Sequence, residues 1–176
     1  MASIFSHAIV ALATGKVIKP KANMKFFACC ILCAVFPDAD VVAFKVGIPY
    51  EHVFGHRGFS HSVLFAALLG LIMSLLFCKN SSTQFLLYWF VLFLCTISHA
   101  ILDAMTNGGL GVAFFAPFDN ARYFFGFRPI QVSPIGIASF FSERGWRVIK
   151  SELLWIWAPA IVVIILSSIF SRRNKG

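Results

Sequence analysis

Charge is scarce in this chain. Of its 176 residues only 7 are acidic and 15 are Lys or Arg, so charged residues make up 12% against 59% hydrophobic. A soluble domain holds about 25% charged and roughly 50% apolar residues, and the shortage excludes that class. With 21 Phe and a mean hydropathy of +0.84, the composition is that of an integral membrane protein. No positive charge precedes the first apolar run, MASIFSHAIVALATG, so no cleaved signal peptide is expected there. Internal repeats are missing too, which argues against the inverted-repeat architecture of many carriers. No serine or cysteine sits in a convincing setting for a nucleophile. The five cysteines, Cys29, Cys30, Cys33, Cys78 and Cys95, all lie inside apolar segments. Cys30 and Cys33 form a C-x-x-C without a second pair, and read as small buried apolar residues rather than zinc or redox ligands.

What is present is a series of apolar segments. They run from Ile4 to Ile18, Phe26 to Phe44, Ser62 to Cys78, Phe85 to Met105 and Leu153 to Phe170. A helix needs ~20 apolar residues to cross a bilayer core, with a range of ~17–25. The first segment is marginal and the other four qualify. The expected fold is all-α: one domain over residues 1–176, a multi-span transmembrane bundle with four to five membrane segments. Ser81, Ser82 and Thr83 suit a helix N-cap before the fourth segment. The longest stretch outside the spans, Asn107 to Glu152, opens with a helix-stopping NGG and is rich in Phe, Pro, Gly and Arg, fit for packing at headgroup level.

The net charge of +8 does not signal nucleic acid, because the basic residues gather at segment ends, as in KVIKPKANMK and SRRNKG. Lys16, Lys19, Lys21 and Lys25, then Lys79, then Arg172, Arg173 and Lys175 fall on one side if all five segments span, and that side is expected to be cytoplasmic. Arg144, Arg147 and Lys150 lie on the other side and oppose this assignment. The same topology brings His7, FPDAD (Asp38, Asp40), HRGFSHS (His56, Arg57, His61) and HAILD (His99, Asp103) to the far, outer face. Lys and Arg alone set that topology, so the convergence of His and Asp is independent of it.

His99 and Asp103 are four apart, one turn along a helix face, where both reach one ion. A His–Asp hydrogen bond between helices explains the pair equally well. Asp38 and Asp40 would diverge on a regular helix, but Pro37 disturbs it and lets both turn inward. Alone, they read as a polar helix end. His56 and His61 suit a turn leading into a helix that Ser60 would cap, and Arg57 would grip a phosphate or carboxylate; the plain reading is residues snorkelling into headgroups. His52, beside Glu51, reads as loop surface. Unpartnered charges in a membrane cost ~2.5–3.5 kcal/mol each at the bilayer centre, which a divalent ion offsets. A His/Asp set without Cys fits zinc, manganese or iron. Seven donors suit two ions, or one ion with outer partners.

SHAIVALATG, FPDAD, HRGFSHS and HAILDAMT resemble the small bacterial inner-membrane proteins of the YdjM type, described as LexA-regulated, membrane-bound metal-dependent hydrolases. The resemblance runs from His7 to about Pro134. It implies an inner-membrane, metal-dependent hydrolase whose ligand positions are His7, Asp38, Asp40, His56, His61, His99 and Asp103. The leading expectation is therefore a metal-activated water at the outer, periplasmic face. Asp38 or Asp40 would take its proton, and Arg57, helped by Arg122 or Arg128, would hold an anionic phosphoester or other lipid-like substrate drawn from the membrane. Two other readings stand beside it: a proton- or ion-coupled transporter, and a non-enzymatic membrane protein whose polar cluster is structural.

Overall fold

The computed structural model describes residues 1–78, 82–134 and 142–173. Lys79, Ser81, Lys175 and the side chains of Arg172 and Arg173, invoked above for topology and capping, lie outside the described residues. The described residues are helical with no β-strand. The helices are α1 (Ile4–Ile18), α2 (Met24–Val35), α3 (Val42–Lys45), α4 (Val63–Phe77), α5 (Ser82–Ala104), α6 (Glu143–Glu152) and α7 (Ala158–Arg173).

Several elements fuse into longer runs. A 3-10 turn, Phe36–Val41, joins α2 to α3, with Pro37 at its start where the missing N–H is tolerated. A π turn, Leu153–Trp157, joins α6 to α7. Three runs are long and apolar enough to cross a membrane: Met24–Lys45, Ser82–Ala104 and Glu143–Ser171. The expected count of four to five is high. Helices α1 and α4 have 15 residues each and rise about 22 Å at 1.5 Å per residue, short of a ~30 Å hydrocarbon core. Both are apolar helices packed among the longer ones.

Helix α5 is the centre, packing against α4, α2 and α1, while α1 also packs on α2 and α7. Gly70 lets α4 approach α5 closely: a Cβ there would lie 2.9 Å from the backbone nitrogen of Phe93. The main core joins Ala11, Phe26, Val91 and Leu92 to Cys29, Cys30, Cys33 and Cys95. The cysteines serve as compact apolar filling, as their setting in the sequence implies. All five are free and buried.

Residues 105–134, which form no helix or strand, close one end of the bundle. Backbone bonds pin them there: Asn107 N–H to Ile130, Phe125 N–H to Ala104, Val63 N–H to Phe114 and Ala113 N–H to Arg57. Under this cover lie the far end of α2, the start of α4 and the end of α5. The other end gathers lysines: Lys19 Nζ donates to Gln84 Oε1 at 2.7 Å and lies 4.6 Å from the Tyr88 ring centroid.

Candidate metal centre

Four pieces of chain deliver the polar side chains. The 3-10 geometry after α2 turns Asp38 and Asp40 to two sides of one histidine, His61. Asp38 Oδ1 lies 3.8 Å from His61 Nε2 and 3.3 Å from His99 Nε2. Asp40 Oδ2 lies 3.2 Å from His61 Nδ1, and its Oδ1 lies 2.6 Å from His56 Nδ1. The histidine from the turn before α4 thus presents one nitrogen to each carboxylate.

The first group is Asp38, His61, His99 and Asp103, with one donor atom from each within 4.8 Å of the others. His99 Nδ1 lies 2.7 Å from the carbonyl of Ala34. A carbonyl only accepts, so Nδ1 carries a proton and Nε2 faces the group. His99 Nε2 and His61 Nε2 are 3.0 Å apart, and Asp103 Oδ2 is 3.7 Å from His61 Nε2. These separations suit donors each ~2.0–2.2 Å from one shared ion. Both oxygens of Asp38 are buried without a hydrogen-bond partner. Buried polar atoms are nearly always satisfied, and a cation held by this group would give the Asp38 oxygens the partner they lack. The second group, Asp40, His56 and His61, shares His61 with the first.

Two pKa shifts outside the spans report the local field. Burial disfavours the charged ring of His61, yet Asp103 and Asp40 overcome it and raise its pKa to about 9. For His56 burial prevails over the bond to Asp40 and lowers the pKa. The carboxylates around His61 therefore favour a positive charge at this point.

His7 stands beside the first group but outside both. Its ring stacks on His99 with centroids 3.6 Å apart, and its Nε2 is 3.6 Å from Asp103 Oδ1. Both its nitrogens are buried without partners.

The arginines are placed differently from a free anion clamp. Arg57 is fully buried, with Nε donating to Asp103 Oδ2 at 3.0 Å, Nη1 to the Gly108 carbonyl at 2.9 Å and Nη2 to Thr106 Oγ1 at 3.0 Å. It adopts a φ of 62°, uncommon for a residue with a side chain. Gly109 makes room, since a Cβ there would lie 2.7 Å from Arg57 Nη1. Arg122 donates to the carbonyls of His56, Tyr50 and His52. Arg128 is exposed, 4.7 Å from the Phe124 ring centroid.

Ser62, not Ser60, caps α4, accepting from Phe65 N–H at 3.0 Å. Ser60 instead donates to Asp40 Oδ2 at 2.5 Å and contacts His61 Nδ1 at 3.0 Å. The cap is worth about 1 kcal/mol. Ser62→Ala is therefore expected to lower unfolding stability by about that amount while leaving metal content unchanged, as thermal melts and elemental analysis will show. His52 is exposed, as its loop setting suggests.

Sequence reasoning passed over Glu152. It is 2% exposed on the last long run and bonds Ser3 and Ser6, some 150 residues away. Such a distant pairing leaves no local signal beyond an acidic residue beside an apolar segment.

An all-helical membrane bundle with inward His and Asp donors gathered under one end defines a membrane protein with a candidate metal centre. The chain belongs to the YdjM inner membrane protein family, whose model matches residues 1–175. It is 37% identical over 179 residues to the inner membrane protein YbcI of Escherichia coli (strain K12), covering 99% of this chain and 100% of that one. No solved structure matches it.

Proposed function

We propose that this single-domain, multi-pass protein is a metal-dependent hydrolase acting at the outer, periplasmic face of the inner membrane. Its substrate is an anionic, lipid-like molecule such as a phosphoester. The observation that carries the reading is the orphaned Asp38 carboxylate facing two histidine nitrogens and Asp103. The separation of the site from the lysine-rich end of the same helices supports the orientation.

Asp38, His61, His99 and Asp103 are the ligands in this reading. A divalent ion, zinc by the donor chemistry, with manganese or iron as alternatives, supplies Lewis acidity for hydrolysis when bound. Asp40 is already committed to His56, Ser60, the Arg57 N–H and His61. It orients the imidazoles, as outer carboxylates do at metal sites. Asp38, with no donor on either oxygen, is the carboxylate open to a proton from the attacking water. Arg57 fixes Asp103 rather than gripping substrate. Arg128 is the arginine exposed to an anionic headgroup. His7 stacks on His99 and sets its ring plane.

Elemental analysis of detergent-purified protein tests the metal. Wild type is expected to hold a divalent ion in near-stoichiometric amount, and folded His99→Ala to hold about a tenth of it or less. Metal-free wild type after metal is supplied would overturn the hydrolase reading and leave a structural polar cluster. Metal that binds without phosphoester hydrolysis would overturn the reaction alone.

A further inference from the structure

The last long run grips the start of α1, next to the polar cluster, chiefly through Glu152. Its Oε1 accepts the Ser3 N–H at 2.5 Å, and its Oε2 accepts the Ser3 hydroxyl at 2.5 Å and the Ser6 hydroxyl at 2.8 Å. Ser6 Oγ also accepts Trp157 Nε1–H at 2.8 Å. Glu152 and Trp157 are five residues apart, flanking and ending the π turn Leu153–Trp157. An i to i+5 repeat sets both over Ser6, and π turns are rare and concentrated at functional sites.

Ser3 departs from the usual local arrangement. It is the N-cap of α1, with the extended backbone of a cap, but its side chain makes no capping bond. Serine at that position ordinarily accepts a first-turn N–H. Here the hydroxyl is spent on Glu152.

The adjoining residue shows what this achieves. Ala2 N–H donates to Asp103 Oδ1 at 2.7 Å. Two successive backbone N–H groups are thus divided between Asp103 and Glu152. One turn further on, the same helix carries His7, stacked on His99.

We infer that Glu152 is a positioning residue for the metal centre: by clamping Ser3 and Ser6 it sets the start of α1, and through Ala2 and His7 it orients Asp103 and His99. This rests on the proposed metal reading. Glu152 touches none of the ligands, so its effect passes through the N-terminal segment.

Cobalt(II) tests this, since its visible absorption reports ligand geometry. Wild type, Glu152→Gln, Ser6→Ala and Val91→Ala are stripped and titrated with Co²⁺ in detergent. Val91 is buried in the main core, twelve residues before Asp103 on α5 and about 18 Å away along the helix. Its truncation destabilises the bundle without touching the clamp. Glu152→Gln and Ser6→Ala are expected to bind Co²⁺ about 10-fold more weakly, the lower range for outer partners of a metal site, with altered band shapes. Val91→Ala should melt lower yet keep wild-type affinity and spectrum. The inference fails if folded Glu152→Gln and Ser6→Ala both match wild type, or if Val91→Ala loses as much affinity as they do. Wild type that takes up no Co²⁺ would instead overturn the metal reading and this inference with it.

Discussion

Arg57→Ala is expected to be among the most damaging single substitutions in the protein, lowering unfolding stability by about 3–5 kcal/mol. That is the usual cost of removing one partner of a buried ion pair. Arg57 and Asp103 are both 0% exposed. Alanine would leave the Asp103 carboxylate without its guanidinium, and would remove the guanidinium N–H groups from Thr106 Oγ1 and the Gly108 carbonyl. Arg57→Lys should rescue little of this. A single ammonium does not span three acceptors that a planar fork reaches together. Thermal melts of metal-free protein in detergent check the prediction, and a melt within a degree or two of wild type would show that Asp103 does not depend on Arg57.

Asp38→Asn is expected to act in the opposite sense on the metal-free protein while abolishing metal uptake. The Asp38 oxygens have no hydrogen-bond donor. An unsatisfied buried polar group costs about 1–3 kcal/mol, more when charged. The isosteric amide removes the charge and should leave the metal-free protein at least as stable as wild type. It also removes an anionic ligand. Added zinc should therefore no longer raise the melting temperature, whereas ligand at a hundredfold its Kd stabilises wild type by about 2.7 kcal/mol. Melts with and without zinc give both halves of the result. A metal-free Asp38→Asn protein that melts well below wild type would mean that Asp38 is held by the fold and not by a cation.

The two variants differ because the Asp103 carboxylate accepts hydrogen bonds from Arg57 and Ala2, whereas the Asp38 oxygens accept none. That distinction was invisible in the sequence, where Asp38 and Asp103 are equally acidic residues in apolar surroundings. Much else was legible. The apolar segment Ile4 to Ile18 coincides with α1. The i, i+4 step of His99 and Asp103 puts both on one buried face. Pro37 breaks α2 where the two aspartates turn inward. These features rest on local rules of period and backbone chemistry.

The errors came where distant parts of the chain decide. Ser60 and Ser62 are equally good caps by composition. Only the position of Asp40 draws Ser60 away. Arg57 looks like a surface cation until the chain after α5 folds over it and supplies Thr106 and Gly108. The last apolar segment starts at Leu153 by sequence, but the helical run begins at Glu143, because the basic, amphipathic α6 carries no strong apolar signal. The segment Ser62 to Cys78 qualifies as a span by the length of its apolar run, but its helix α4 keeps only 15 of those residues because Ser62 is spent as the cap, whereas the marginal reading of Ile4 to Ile18 agrees with the short α1.

The packing of the cysteines has a practical consequence for mapping which face of the membrane each loop occupies. Cys29, Cys30, Cys33, Cys78 and Cys95 are between 0% and 8% exposed. A water-soluble maleimide therefore finds little to label in the native chain, and a reporter thiol placed on a loop is read against a quiet background. The native cysteines do not have to be removed first. That matters here, because four of them fill the joint between α2 and α5, and a cysteine-free version would start from a loosened core.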